Sequence, residues 1–117
     1  MAEFLNPFTG VTPGRKLTDS ELARAVRQNM AAELEAVHLY RAHADATDNE
    51  LAKRVLLDIA DEERVHVGEF LRLLSILEPD EPDVLAKGAA EVDQMAAETG
   101  SAPSSGENAP TIGSMRP

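Results

Sequence analysis

Apolar residues recur at Leu22, Val26, Met30, Val37 and Tyr40 at intervals of three, four and seven, the period of a helix buried along one side. Thr18 stands three residues before Glu21, the spacing of a capping box, and Asp19 suits the positive helix end. The pattern predicts a helix from Thr18 to about Ala46. After a break at Thr47-Asp48-Asn49, Thr47 and Glu50 repeat the box spacing, which predicts the start of a second helix there. Its apolar positions are Leu51, Val55, Ile59, Phe70, Leu73 and Leu77, and Pro79 and Pro82 predict its end near Glu78 by removing backbone donors. So short a link between long helices predicts an antiparallel hairpin. A third, weaker helix is expected over Asp83 to Glu98, on the thin stripe Leu85, Gly88, Ala89, Val92 and Ala96. Gly88 costs it roughly 1 kcal/mol relative to alanine, and Gly100 marks its stop. The fold class is all-α.

Outside these helices the pattern fades. Residues 1–17, with Pro7, Gly10, Pro13 and Gly14, read as an irregular arm tied down by Phe4, Leu5 and Phe8. Residues 18–98 form the helical domain. Residues 99–109 have the composition of a flexible linker, and in 110–117 apolar residues return at Ile112 and Met115. The length of 117 residues fits one small domain. With 3% aromatic residues its core must be aliphatic, and thin for a monomer. The net charge of -10 opposes phosphate backbones, which argues against a nucleic-acid partner. No apolar run reaches the roughly 20 residues that cross a bilayer, so no membrane partner is expected. Met1-Ala2-Glu3-Phe4 lacks the basic start of a signal peptide, which fits a cytoplasmic location. The absence of cysteine excludes thiolate zinc sites, iron–sulfur clusters and cysteine nucleophiles.

The chemistry lies in acids placed where the pattern asks for apolar side chains. At about 100° per residue, Val26, Met30, Val37 and Tyr40 share one sector of the first helix, and Glu33 falls inside it. On the second helix His66 sits within the apolar sector, Glu63 at its edge one turn earlier, and Glu62 near the other edge. Burying carboxylates without a partner costs several kcal/mol, so these stripes ask for a compensating cation. Carboxylate plus imidazole suits iron, manganese or zinc. Di-iron carboxylate bundles take one Glu from each of two helices and Glu-x-x-His from each of the other two. Glu33, Glu63 and His66 are half of that set, on half of the four helices, so a homodimer would complete both. Tyr40, one turn beyond Val37, is either a hydrogen-bond donor to a ligand carboxylate, an electron donor or a core tyrosine. His38, His43 and Glu35 are expected on the outer face, His38 with metal uptake as a further role.

Two strings carry a family resemblance: Ala32-Glu33-Leu34-Glu35-Ala36-Val37-His38-Leu39-Tyr40 and Ile59-Ala60-Asp61-Glu62-Glu63-Arg64-Val65-His66. Together they resemble the encapsulated ferritins, two-helix relatives of the ferritin and rubrerythrin superfamily, over roughly residues 18 to 78. The resemblance implies a ferroxidase with a di-iron centre across a dimer interface, and a ring of dimers, often five, inside an encapsulin shell. It places Glu33, Glu63 and His66 as iron ligands, Tyr40 beside them, and Glu35 as an outer metal-guiding carboxylate. Ala32 departs from the family's second outer Glu, and His38 replaces an acid. Thr111-Ile112-Gly113-Ser114-Met115-Arg116 resembles the peptides that dock cargo on the inner wall of such shells.

The reading is therefore oxidation of Fe(II) to Fe(III) by O2 at a dimer-borne site, within an encapsulin nanocompartment in the cytoplasm. A rubrerythrin-like peroxidase and a metal-free helical adaptor are the alternatives. The missing cysteines leave no rubredoxin centre to feed such a peroxidase.

Overall fold

The computed structural model describes residues 14–101, and every element among them is a helix. They are α1 (Asp19–Asp45), α2 (Glu50–Leu77) and α3 (Glu81–Thr99). The arm ahead of Gly14, with Phe4, Leu5 and Phe8, and the chain beyond Ser101, with the 110–117 segment, lie outside the described residues. Two compact units divide between Pro79 and Asp80.

The capping box at α1 forms as its spacing predicts. Thr18 Oγ1 accepts from the Glu21 amide at 3.1 Å, and Glu21 Oε1 accepts from the Thr18 amide at 3.0 Å. Arg15 Nη1 also donates to Glu21 Oε1, at 2.8 Å. These contacts hold the Glu21 carboxyl down at about 2, against an ordinary 4.5, with Arg15 the largest cause.

The start of α2 differs from the sequence expectation. Asn49, not Thr47, is the cap, and its Oδ1 accepts from the Ala52 amide at 2.9 Å. Thr47 Oγ1 instead accepts from the Asn49 amide at 3.1 Å, a local turn that leaves the helix start to Asn49.

The hairpin core forms where the beginning of α1 meets the end of α2. Ala23, Val26 and Leu74 are buried there, with Met30, Phe70 and Leu77 packed around them. Arg27 Nη2 donates to Glu78 Oε2 at 3.0 Å across the same end, so the helices run antiparallel. Ala44 and Ala60 are buried without bulk, which lets the helices approach closely. Several residues of the predicted stripes stay exposed: Leu51 at 73%, Val55 at 46% and Leu73 at 40%. The physical reason is arithmetic of faces, since one helix can cover only part of a stripe this wide.

In the second unit, α3 begins two residues earlier than its stripe suggests. Pro82 lies in the first helical turn, where a missing N–H costs nothing, so it opens this helix as well as following α2. Gly100 closes it at φ 76°, the left-handed conformation glycine adopts freely, and the Ser101 amide donates to the Ala96 carbonyl at 2.7 Å. No side chain of α3 is buried; Val84, Leu85, Val92 and Met95 are all exposed.

Two outcomes follow from this packing. Leu74→Ala should destabilise the hairpin by about 3 kcal/mol, read as a shift of the urea midpoint, because it empties the centre of the core. The Glu21 carboxyl titrates lower in the folded than in the unfolded chain, so its stabilisation is present above pH 4.5 and lost as the pH falls toward 2. Thermal midpoints of wild type and Glu21→Gln should therefore converge over that window.

Candidate metal centre

Glu33 reaches its position because it replaces an apolar residue on the α1 face turned to α2. Glu63 and His66 stand three residues apart on α2, so their side chains share one face. The antiparallel pairing brings all three together: one ligand atom from each lies within 4.8 Å of the others. His66 Nδ1 is 3.5 Å from Glu63 Oε2 and 3.6 Å from Glu33 Oε2. The carboxylates are largely covered, with side chains 23% exposed at Glu33 and 18% at Glu63, while His66 is 46% exposed.

The cluster has an unmet electrostatic demand. Glu33 Oε2 is shielded from water and has no hydrogen-bond partner among the described residues. A buried, unpaired carboxylate oxygen costs free energy that a folded chain recovers only through a donor or a cation. The His66 ring is too distant for a strong hydrogen bond to it. Two donors of one metal ion at bond lengths of about 2.0–2.2 Å stand roughly 3.0–3.6 Å apart, close to the spacings seen. The residues therefore fit a cation, and carboxylate oxygen with imidazole nitrogen suits iron, manganese or zinc. Three donors from one chain are too few to fill an iron coordination shell, and His66 is the most exposed of the three.

The remaining residues singled out in the sequence stand apart from this cluster. Tyr40 is half-buried and donates no hydrogen bond to Glu33, Glu63 or His66. Glu62 and His38 are exposed, and His38 lines a groove with Arg41 and Arg64. Glu35 is half-buried, not fully solvated on the outer face. Arg41 and Arg64 carry no periodic signal, since charged residues at such positions usually face solvent, and only the packing of α1 on α2 brings them into one groove.

The rubrerythrin family model matches residues 24–102. The chain is 41% identical to "Encapsulin nanocompartment cargo protein EncC" of Myxococcus xanthus (strain DK1622), over 95% of this chain and 96% of that protein. It is 37% identical to a "Ferritin-like-encapsulin shell fusion protein" of Pyrococcus furiosus, over 78% of this chain and 26% of the fusion. Among solved structures, the encapsulated ferritin domain from Pyrococcus furiosus superposes with a TM-score of 0.72 at 36% identity, covering 80% of this chain and 95% of that domain. A helical hairpin, a paired-carboxylate and histidine cluster at its centre, and this extent of likeness lead to one assignment: the chain belongs to the rubrerythrin family of ferritin-like proteins, among the encapsulated ferritins.

Proposed function

We propose that two copies of the hairpin pair through the face bearing Glu33 and His66 and form a ferroxidase site that oxidises Fe(II) to Fe(III). The buried Oε2 of Glu33 carries this reading, because it accepts no hydrogen bond among the described residues and has only the His66 ring, at 3.6 Å, beside it. Glu33, Glu63 and His66 of both chains would together hold a pair of ferrous ions. This is the ligand set of di-iron carboxylate bundles, assembled from two half sets. Exposed Leu51, Val55 and Leu73 supply apolar surface for the pairing.

Iron is the substrate. Two ferrous ions give up two electrons to O2, which takes up two protons and leaves as hydrogen peroxide. Hard carboxylate oxygens favour the more highly charged ferric product, which drives the oxidation. Tyr40, half-buried on the same helix, is proposed to donate a hydrogen bond to a ligand carboxylate in the paired site. Glu35, Glu62 and His38 are proposed to guide iron inward, aided by a net charge of -10 that concentrates cations near the surface.

Association with an encapsulin shell is supported by the relatives: one is named a shell cargo protein and the other a fusion to the shell itself. In this chain the 110–117 segment would dock on the shell, Ile112 and Met115 filling apolar pockets, and a ring of dimers would engage through several such segments at once. On this reading the protein resides inside an encapsulin nanocompartment in the cytoplasm, as the names of its relatives support. Among the described residues no helix is long and apolar enough to cross a membrane.

The rubrerythrin match favours one second reading, with peroxide as the oxidant. Initial rates of Fe(II) oxidation separate the two: the ferroxidase reading expects O2 alone to sustain turnover, and turnover that needs added peroxide would replace it. Glu63→Gln keeps the shape of the side chain and removes its charge, so the rate with O2 should fall at least tenfold, the upper range for even an outlying metal-site contact being about 100-fold. Glu33→Ala should stabilise the metal-free protein by about 1–3 kcal/mol, since it deletes an unpaired buried oxygen. The same variant should lose the rise in thermal midpoint that Fe(II) gives the wild type under anaerobic conditions. A variant that keeps this rise would contradict the role given to Glu33.

A further inference from the structure

A second feature of the hairpin stands outside the metal cluster. Leu34 follows Glu33 by about 100° around α1, and from there a groove of about 480 Å³ runs between the helices. Its walls include the apolar Leu34 and Val37 and the polar His38, Arg41 and Arg64. Both guanidiniums converge on one acceptor: Arg64 Nη1 is 3.5 Å and Arg41 Nη2 4.0 Å from Asp61 Oδ1. Each guanidinium carries five N–H donors in a rigid fork. Among the described residues, Arg64 makes one side-chain hydrogen bond, at 3.5 Å, and Arg41 makes none. Two cations therefore share a single carboxylate in a protein whose net charge is -10, and most of their donors face the groove or water.

We infer that this groove binds a small multivalent oxyanion, either inorganic phosphate or a polycarboxylate such as citrate, on the paired forks of Arg41 and Arg64. Guanidinium recognises both ligands through the same parallel N–H···O bonds. His38 adds a donor from the same wall. Leu34 and Val37 add an apolar flank to the groove, open to water at Leu34, which is 56% exposed. Asp45 also lines the groove and repels an anion, so it sets a limit on affinity. The inference does not use Glu33, Glu63 or His66.

The test is isothermal titration calorimetry of the metal-free full chain with phosphate and, separately, with citrate, at constant ionic strength. Saturable binding of one of them is expected, and the tighter ligand assigns the anion as inorganic or carboxylic. The double variant Arg41→Gln with Arg64→Gln should weaken it roughly tenfold or more, as loss of charge-assisted hydrogen bonds does. Asp45→Asn should tighten it. All three positions are exposed on helices, and circular dichroism checks that the helices persist. No saturable heat with either anion, or equal affinity in the wild type and the double variant, overturns the inference.

Discussion

Glu33 Oε2 lies out of contact with water and accepts no hydrogen bond among the described residues. A position on the inner face of α1 would be best filled, for stability alone, by a leucine or methionine. The hairpin instead holds two largely covered carboxylates and an imidazole within 4.8 Å of one another. Like charges in a partly dry site repel, and nothing else on α1 or α2 donates to that oxygen. A cation would supply the missing charge, as the proposed function requires.

The same incompleteness appears in the packing. The buried core is small, with Val26 and Leu74 its largest fully covered side chains. Leu51, Val55, Leu73 and Ile76 remain exposed on α2, more apolar surface than a lone hairpin can cover. Unmet charge and unmet apolar area occur on one two-helix element, and pairing two such elements answers both. In the proposed dimer, metal binding would be tied to association, because each chain would bring half of the ligand set.

Much of this was legible in the sequence where the signal is local or periodic. The Thr18–Glu21 box depends on residues three apart, and its hydrogen bonds form as the spacing predicts. Glu33, Glu63 and His66 could be placed on facing stripes because helical period fixes which side each occupies, and antiparallel pairing then brings them to one level. The misjudged points are competitions between neighbours. Asn49 outcompetes Thr47 as a cap, since the Thr47 hydroxyl bonds the Asn49 amide instead. Pro82 reads equally as a breaker after α2 and as a first-turn residue of α3, and the structure uses it as the second. The Arg41, Asp61 and Arg64 cluster was not legible at all. It depends on long side chains crossing from one helix to another, which no spacing along the chain encodes.

The central claim is that each chain carries half of a two-iron site. Native mass spectrometry of the full chain, with and without Fe(II) under anaerobic conditions, tests it most directly. The account predicts even-numbered oligomers carrying about two irons per pair of chains, because each chain brings half of the ligand set. Monomers that take up iron on their own, or dimers whose mass is indifferent to Fe(II), would contradict it.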